Sequence, residues 1–481
     1  MSGKNVNDLK SGVKRSGRSN QFHGERDRLE ATRPGYVSET HSPAPAGSGY
    51  AVQSTPSGAT VARFPTSSVL PSAHDAVVEI LCCTICEADR RFTGGSKVVD
   101  GRPAAVVLGH EAVGVVTRAG AEAGVSVGDV VAIMPHIVRC DHADHAACSA
   151  GDIFRLATSH AGMGVDGTMA SGVVWPGPCL MPIRPCVVEE AKRLAPQFGL
   201  HWSAPLAEIE HLACVLTAHE HGRRTDALLG GGTFRDLHAG TLRRIVILGA
   251  GWMGYLNWLV LKKSFPDAEI LIRDVDEQRV MLFRELAGES DHATPAVVHP
   301  EDASFDASAD LVIVTTSARA ANAEAFRWVK PNGHLMLFSG IHEGAVNPLF
   351  DPAGFTSLEP LHRHGGAARI HRTASRDVHD MVVASGSSGY SNRCFAEAAE
   401  VVTRFFPGIA RGMTGVVLGV MGDRLQPLRP LAPAFATAGM PVMPALIATD
   451  WRGRNQHLKI AFHPTVSEEI AAAYARNEVR T

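Results

Sequence analysis

The sequence predicts an α/β protein in which a barrel-like unit of short strands precedes a doubly wound parallel sheet. Up to about residue 185, short apolar stretches are separated by Gly and Pro, which is typical of an antiparallel unit. From about residue 217 the chain alternates between strand-like and helix-like apolar patterns, as βαβ units do. The 481 residues suffice for two domains, and 45% apolar with 20% charged residues is ordinary for a globular protein.

The strands of the first unit are predicted from their apolar residues. The segment 76–83 (Ala-Val-Val-Glu-Ile-Leu-Cys-Cys) alternates most clearly, and 113–117 and 129–134 follow it. A further strand candidate, 458–462, lies near the end of the chain.

The parallel sheet is predicted from five apolar runs, which are 245–248, 269–273, 311–315, 334–338 and 379–384. Helical patterns between them give the βαβ rhythm of a doubly wound sheet. Beyond residue 385 the sequence predicts a helix over 394–406, a Pro-rich segment over 427–444 and a terminal helix over 466–475.

A glycine fingerprint follows the first of these strands. Gly249, Gly251 and Gly254 form a G-x-G-x-x-G pattern between an apolar strand and an apolar helix, and Asp274 ends the next strand, 20 residues after Gly254. Gly249 permits the tight turn, Gly251 lets the backbone approach a pyrophosphate, and Gly254 lets helix and strand pack closely. Because the helix N-terminus stabilises phosphate charge, this segment predicts a dinucleotide site.

Asp274 predicts which dinucleotide is bound. Its carboxylate would accept hydrogen bonds from the ribose hydroxyls and repel a 2′-phosphate, which favours NAD over NADP. Arg273 and Arg279 flank it and weaken this preference, and Arg279 is itself a cofactor-binding candidate. Trp252 and Met253, between the second and third glycines, complete the set of candidates.

A group of metal-ligand residues precedes the glycine fingerprint. Cys86, His110, Glu111 and Glu210 offer thiolate, imidazole and carboxylate donors, the types that Zn2+ binds in tetrahedral geometry. Cys86, His110 and one carboxylate would leave a fourth position open, as a Lewis-acid site requires. The sequence therefore predicts a catalytic zinc site ahead of the dinucleotide site.

Over residues 60–465 the chain resembles the zinc-dependent medium-chain alcohol and polyol dehydrogenases. The resemblance rests on Cys86-x-x-Asp89, Gly109-His110-Glu111 with Gly114, Gly128-Asp129-x-Val-Ala, Glu210-x-Leu-x-Cys-Val and the glycine fingerprint. The Glu210 motif and the segment 384–389 make it most similar to the sugar-phosphate branch typified by sorbose-1-phosphate reductase. The resemblance implies a GroES-like β-barrel catalytic domain and a Rossmann domain.

The resemblance also implies roles for the metal-site residues. Cys86 and His110 would bind the catalytic zinc, and Glu111 would be a ligand or exchange with water. Glu210 would be the further carboxylate that polyol enzymes place at the metal. Asp89 would accept the second N–H of His110 and orient its ring.

Ala88 departs from the pattern of this family. Many relatives carry Ser or Thr there, and that hydroxyl starts their proton relay, whereas Ala88 has no group that could do so. The proton would then move through Glu111, Glu87, water or the substrate.

A second cluster of metal-ligand residues contains Cys140, His142, His145 and Cys148. Relatives carry a structural zinc lobe of four cysteines here, whereas this chain has His in place of Cys twice and lacks the fourth cysteine expected near residue 156. Three interpretations stay open: a remodelled zinc site, a lobe without metal, and histidines that face the substrate.

These patterns divide the chain into four segments. Residues 1–48 are rich in Ser, Gly, Arg and Pro and are predicted to be a disordered tail. The catalytic domain is predicted over 49–216 and the NAD-binding domain over 217–385. Residues 386–481 are predicted to return to the catalytic domain and end in a C-terminal tail.

Charge and composition exclude several classes of function. A net charge of −3 provides no basic field for nucleic acid or membrane surfaces, and no apolar run approaches about 18 residues. The polar N-terminus lacks the apolar core of a secretory signal, and the nine cysteines are interpreted as thiols or metal ligands. We therefore expect a cytoplasmic protein without nucleic-acid or membrane partners, and the resemblance implies a homodimer or homotetramer.

The predicted activity is hydride transfer between NAD and a secondary alcohol or ketone, assisted by Zn2+. The predicted small-molecule substrate is a polyol, cyclitol or sugar, with or without a phosphate. Two alternatives stay open. A tightly held NAD could support a lyase or epimerase without net redox, or the chain could be a degenerate nucleotide-binding scaffold, although the intact zinc donors argue against the latter.

Overall fold

The computed structural model describes residues 49–55, 58–64, 72–89, 106–137, 159–241, 243–288, 295–299, 301–339, 366–372, 379–421, 424–427 and 459–464. The predicted tail over 1–48, the cluster from Cys140 to Cys148 and the terminal helix over 466–475 lie outside these residues. All contacts described below belong to one compact unit, Ala46–Thr481.

The first part of the chain forms the predicted unit of short antiparallel strands. These are β1 (Gly49–Thr55), β2 (Gly58–Phe64), β3 (Asp75–Thr84), β4 (Val106–Val107), β5 (Ala112–Ala119), β6 (Val130–Ile133), β7 (His136–Ile137), β8 (Ser159–His160), β9 (Gly172–Pro176) and β10 (Leu180–Pro182). In β3 the alternation predicted from the sequence is confirmed, because Ala76, Val78 and Ile80 are buried while the residues between them are half-buried.

The second part forms the predicted parallel sheet. Its strands are β11 (Arg244–Leu248), β12 (Glu269–Arg273), β13 (Ala296–Val297), β14 (Ala309–Val314), β15 (Val329–Leu337), β16 (Ala367–His371) and β17 (Met381–Gly386). The order β13-β12-β11-β14-β15-β17-β16 is parallel throughout except for β16, which pairs antiparallel to β17. The five predicted strands are confirmed, whereas β16 was missed because its sequence buries only Ile370 and lacks a continuous apolar run.

The end of the chain returns to the first unit. The strands β18 (Met413–Met421), β19 (Arg424–Pro427) and β20 (Lys459–His463) extend the sheet in the order β10-β6-β5-β3-β20-β18-β19, with β9 paired to β3. The strand predicted over 458–462 is therefore confirmed as β20, which pairs antiparallel with β3.

Helices cover the parallel sheet and connect the two parts. They are α1 (Pro185–Leu194), α2 (Ser203–Leu206), α3 (Ile209–Leu228), α4 (Thr233–His238), α5 (Trp252–Ser264), α6 (Glu277–Gly288), α7 (Arg319–Trp328) and α8 (Asn392–Arg411). The long helices α3 and α8 pack against each other. The domain boundary predicted between residues 216 and 217 falls inside α3, because this helix is continuous from the first part into the second.

Strand β11 lies in the core of the parallel sheet, and its burial stabilises the sheet. The four residues Ile245 to Leu248 of β11 are at most 1% exposed, and each buried aliphatic side chain contributes about 1.5–3 kcal/mol relative to exposure.

The order of the strands in the sheet reverses between β11 and β14. Ligands of such sheets bind at this point, at the carboxyl ends of the strands. Gly249 directly follows β11 at that edge.

No helix among the described residues has both the length and the apolar composition that crossing a lipid bilayer requires.

Candidate active site

Asp89 joins the two segments that supply the first metal donors. The Cys86 N–H donates to Oδ2 of Asp89 at 2.9 Å, and the Gly109 N–H donates to Oδ1 at 3.2 Å. Because the Asp89 side chain is buried, these hydrogen bonds are protected from water. They fix Cys86 beside the segment that carries His110.

Gly109 lets the chain turn so that His110 enters the site. Its φ of 89° lies in the left-handed region that favours glycine. A Cβ at Gly109 would lie 2.7 Å from Cγ of Met169 and 2.8 Å from Sγ of Cys83. Any side chain there would therefore strain the backbone and displace packed neighbours.

Cys86, His110 and Glu111 form the first donor group, in which one ligand atom of each residue lies within 4.8 Å of the other two. Nε2 of His110 is 3.4 Å from Oε1 of Glu111. Nδ1 of His110 is 3.6 Å from Oδ1 of Asp89, which is longer than a hydrogen bond. Asp89 thus holds the site mainly through the two backbone N–H groups rather than through the His110 ring.

Glu208 and His211, together with Glu111, form a second donor group that the sequence analysis did not predict. Glu208 immediately precedes α3 and His211 lies three residues later, so the two side chains share a face. Nδ1 of His211 bonds Oε2 of Glu208 at 2.8 Å, and its Nε2 lies 2.7 Å from Oε1 of Glu111 and 3.9 Å from Sγ of Cys86. The Glu-x-x-His spacing at a helix start is the signal that could have found this pair.

Glu210, predicted as a zinc ligand, belongs to neither donor group of the described residues. Successive residues of an α-helix are rotated by about 100°, so Glu210 points away from the side of α3 that carries Glu208. Its carboxyl nevertheless interacts electrostatically with His211, Glu111 and His110. Its Oε1 accepts a hydrogen bond from Sγ of Cys214 at 3.3 Å, one turn along α3. Burial raises the pKa of this carboxyl.

Lys459 of β20 brings a buried positive charge to the site. Its Nζ lies 2.7 Å from Oε2 of Glu111 and 3.9 Å from Oε1 of Glu208. Thr84 Oγ1 donates to the same oxygen of Glu111 at 2.5 Å. Burial alone would lower the pKa of Lys459, but Glu111 and Glu208 outweigh it and raise the pKa. One oxygen of Glu111 is therefore engaged, and the other faces the imidazoles.

The two imidazoles of the site lie in a strongly negative environment. Burial favours their neutral forms, but the charges of Asp89 and Cys86 hold the pKa of His110 well above its usual value. Glu111 outweighs burial in the same way and holds the pKa of His211 well above its usual value. The cluster therefore favours two positive charges at these rings.

The anionic donors remain ionised despite their burial. Burial would raise the pKa of Glu111, but His211 and Lys459 hold it well below its usual range. Burial and Glu111 favour the neutral thiol of Cys86, yet His110 and His211 outweigh them and lower its pKa. A cysteine binds metal as the thiolate.

These residues fit a divalent metal ion. Oε1 of Glu111 is buried and forms no hydrogen bond among the described residues, although Nε2 of His211 is only 2.7 Å away. An orphaned carboxylate oxygen that faces two imidazoles and a thiolate is a site for a cation. Sulfur, nitrogen and oxygen donors together suit zinc.

The glycine loop has packed ends and an open middle. Gly249 has a φ of 113°, and a Cβ on Gly254 would lie 2.0 Å from the carbonyl oxygen of Gly249. At Gly251, by contrast, a Cβ would meet nothing within 4 Å. This arrangement fits the predicted dinucleotide site, because space at Gly251 lets a pyrophosphate approach the start of α5.

Asp274 lies directly beneath the glycine loop. Its Oδ2 accepts the N–H of Ala250 at 2.7 Å, and its Oδ1 accepts the N–H of Asp276 at 3.0 Å. Each carboxylate oxygen retains a further lone pair, so the group can still accept hydrogen bonds from ribose hydroxyls.

The two arginines that flank Asp274 are each paired with another acid. Nε of Arg273 lies 3.4 Å from Oε2 of Glu324, and Nε of Arg279 lies 3.3 Å from Oδ2 of Asp276. Arg273 also donates from Nη1 to the backbone carbonyl of Asp274.

Trp252 directs its side chain towards the metal donors. Its Nε1–H donates to Oε2 of Glu208 at 2.5 Å, and the ring is 8% exposed. Trp252 is a predicted dinucleotide-binding residue; its backbone belongs to the glycine loop, and its indole contacts the second donor group. Met253 is half-buried and packs against the core.

Three polar aromatic side chains, those of His136, His160 and Tyr390, lie next to His110, and we call them the polar wall. The pairing of β7 with β8 sets His136 opposite His160, with ring centroids 4.7 Å apart, and the His160 ring is 5.1 Å from that of His110. The Tyr390 ring is 5.0 Å from His136. His136 and His160 are half-buried. The segment between these two strands contains the Cys140 to Cys148 cluster, whose three interpretations the described residues leave open.

Comparison with known proteins defines the class of the first part. Residues 72–185 match the family model of the alcohol dehydrogenase GroES-like domain. The match includes Cys86, Asp89, His110 and Glu111. With the parallel sheet that follows, the predicted fold of a GroES-like domain and a Rossmann domain is confirmed.

Particular solved structures share this fold. A proposed zinc-binding dehydrogenase from Sinorhizobium meliloti, bound to NADP, has a TM-score of 0.59 and 18% identity, with 87% of this chain and 100% of that one covered. Haloferax mediterranei glucose dehydrogenase, in complex with NADP, Zn and gluconolactone, has a TM-score of 0.57 and 17% identity over 87% and 100%. Galactitol-1-phosphate dehydrogenase from Escherichia coli has a TM-score of 0.57 and 15% identity over 86% and 100%.

Proposed function

We propose that this protein is a zinc-dependent oxidoreductase that transfers hydride between NAD(H) and a secondary alcohol or ketone of a polyol, cyclitol or sugar. The observation that carries the proposal is the hydrogen bond from the Trp252 indole to Glu208. Because Trp252 starts the helix of the glycine loop and Glu208 belongs to the donor groups, a dinucleotide and a metal would occupy adjoining sites.

Cys86, His110 and Glu111 would hold the metal. Bound zinc would polarise the substrate oxygen and lower the pKa of an alcohol. Asp89 fixes the backbone of the Cys86 segment against that of His110. Lys459 fixes one oxygen of Glu111, which leaves the other directed at the imidazoles. These contacts orient the donors before a substrate arrives.

The glycine loop would hold the dinucleotide. Gly251 and the N-terminus of α5 would receive the pyrophosphate, and Asp274 would accept the ribose hydroxyls. The nicotinamide ring would supply or accept the hydride. The position of Asp274, whose carboxylate accepts the N–H of Ala250 in the glycine loop, supports NAD over NADP, because its charge would repel a 2′-phosphate.

The polar wall supports a hydroxylated substrate. The half-buried imidazoles of His136 and His160 adjoin His110, so this side of the site presents polar rings of a kind that suits hydroxylated compounds. Two proteins with the same fold are named glucose dehydrogenase and galactitol-1-phosphate dehydrogenase, which agrees with this substrate class. Assignment to the sugar-phosphate branch is part of the proposal and needs a substrate test.

A test of the proposed function follows NADH formation by absorbance with NAD and a panel of polyols, cyclitols, sugars and their phosphates. We expect net turnover with at least one compound, and a loss of at least roughly a hundredfold in His110→Ala. The exposed His74 provides the matched control His74→Ala, which should retain activity. Product formation without net NADH would instead identify a lyase or epimerase that retains NAD, and no turnover of any compound would contradict the proposal.

A further inference from the structure

We propose that Trp252 couples the dinucleotide site to the metal site, so that a bound dinucleotide stabilises the bound metal through Glu208, His211 and Glu111. The proposal rests on the proposed function and adds a positioning residue to it. It also adds a property that hydride transfer does not by itself require, namely that each ligand strengthens the binding of the other.

The backbone of Trp252 lies where the pyrophosphate would bind. Trp252 is the first residue of α5 and follows Gly251, the open position of the glycine loop. A phosphate held by the N–H groups at this helix start would fix the position of the Trp252 backbone.

The indole of Trp252 has little freedom to move independently of that backbone. The ring is 8% exposed and lies 5.9 Å from the ring of Tyr255, centroid to centroid. A Cβ on Gly412 would come within 2.5 Å of the indole, so the ring is packed against the chain beyond α8. A restraint on the backbone is therefore a restraint on the Nε1–H.

Glu208 depends on that N–H for its position. Its Oε2 accepts hydrogen bonds from Trp252 at 2.5 Å and from His211 at 2.8 Å. Its Oε1 forms no hydrogen bond among the described residues and lies 3.9 Å from Nζ of Lys459. Because the carboxylate is fully buried, loss of one of its two donors cannot be replaced by water.

His211 connects the position of Glu208 to that of the metal donors. Since its Nδ1 bonds Glu208, the opposite nitrogen, Nε2, faces Oε1 of Glu111 and Sγ of Cys86. Trp252, Glu208, His211 and Glu111 thus form a continuous chain of contacts from the glycine loop to the first donor group. A dinucleotide that fixes Trp252 would reduce the freedom of Glu111 to leave the metal.

The experiment measures zinc release to a chelator from zinc-loaded protein, with and without saturating NADH. We expect NADH to slow zinc release from the wild type by at least about fivefold, the lower end of typical coupling between sites. Trp252→Phe keeps an aromatic ring but lacks the N–H, so NADH should slow its zinc release by less than about twofold. Titration of NADH against each protein ensures saturation.

Two further variants complete the design. Trp258→Phe makes the same substitution at a fully buried residue of α5 that also stacks on Tyr255, and it should keep the wild-type response to NADH. His211→Asn breaks the chain at a second point, because Asn can still donate to Glu208 but cannot reach Glu111. NADH should therefore fail to slow zinc release from His211→Asn, as from Trp252→Phe. If Trp252→Phe does not fold, His211→Asn alone tests the coupling.

The outcomes separate the coupling from the proposed function. If NADH slows zinc release equally in wild type, Trp252→Phe and His211→Asn, the cofactor merely covers the metal and the coupling proposal is overturned. The same holds if NADH has no effect on zinc release from the wild type. If the wild-type protein binds no zinc, it is the proposed function that fails.

Discussion

Nζ of Lys459 lies 2.7 Å from Oε2 of Glu111, although 348 residues separate the two in the chain. The antiparallel pairing of β20 with β3 brings them together, with Ala461 opposite Thr84. Both side chains are almost completely buried, at 3% and 0% exposed. The ion pair therefore fixes β20 relative to Glu111, which belongs to both donor groups.

Replacing Lys459 tests this pair. In Lys459→Met the Glu111 carboxylate loses its buried counter-charge, and breaking such a pair typically costs about 3–5 kcal/mol. We expect that loss in the free energy of unfolding, measured by chemical denaturation. The matched control is Lys192→Met. The Lys192 side chain also forms an ion pair but is 43% exposed, so its replacement should change the free energy of unfolding by less than about 0.5 kcal/mol. Equal effects of the two variants would refute a special role for Lys459.

His463 makes stability depend on pH in a defined range. Its Nδ1–H donates to the Leu81 carbonyl at 2.6 Å, and burial lowers its pKa to about 3. An unfolded histidine titrates near about 6.5, so as pH falls below that value the unfolded chain binds a proton that the folded chain does not. The contribution is fully present above about pH 6.5 and is lost towards pH 3.

His463→Asn should remove this dependence while it keeps an amide donor. Between about pH 6.5 and about pH 5.5 the wild type should lose about 1 kcal/mol more unfolding free energy than the variant does. Denaturation curves at the two pH values give the change in unfolding free energy for each protein. This change is compared between the wild type and the variant, so a difference in their absolute stability does not matter. Identical pH dependence would mean that His463 has the same pKa in the folded and the unfolded chain, which would contradict the prediction.

Asp274 should make the protein prefer NAD to NADP by at least about tenfold, which corresponds to about 1.4 kcal/mol. The reason is repulsion between its carboxylate, fixed beneath the loop by the Ala250 N–H, and a 2′-phosphate. Fluorescence titration of both cofactors measures the ratio, which should shrink in Asp274→Ala and persist in Glu277→Gln, a control at a nearby exposed carboxylate. Equal or tighter binding of NADP by the wild type would show that Arg273 or Arg279 neutralises Asp274.

Ala88→Ser tests whether proton transfer needs a hydroxyl at this position. A positioned general acid or base contributes roughly 10²- to 10⁴-fold, so an enzyme with no substitute would be slow. We expect less than about a threefold change in kcat, because Glu111 or a zinc-bound water network would already serve this role. A gain of roughly a hundredfold would show that no substitute relay exists and that the chain is a degenerate dehydrogenase.

The glycine loop was predictable from sequence because its determinants are local. Gly249 and Gly254 contact each other within one turn, and each has a steric reason to be glycine that does not depend on distant parts of the chain. Asp274 follows the neighbouring strand, whose parallel pairing with β11 returns it to the loop.

The metal site was predictable only in part. Cys86, His110 and Glu111 form a donor group as expected, but Lys459 reaches Glu111 through strand pairing across 348 residues, which no local pattern reveals. The sequence motif indicated Glu210, which stays a prediction, but it did not indicate Glu208 and His211, which form a donor group with Glu111. The indole of Trp252 was missed for a similar reason, since the fingerprint fixes only its backbone.

Elemental analysis of purified wild type and Cys86→Ala tests whether Cys86 and His110 bind a zinc ion. His142→Ala/His145→Ala, measured in parallel, counts any zinc held by the second cluster. We predict that Cys86→Ala contains one zinc per chain fewer than the wild type and loses activity. Unchanged zinc content together with unchanged activity in Cys86→Ala would contradict it.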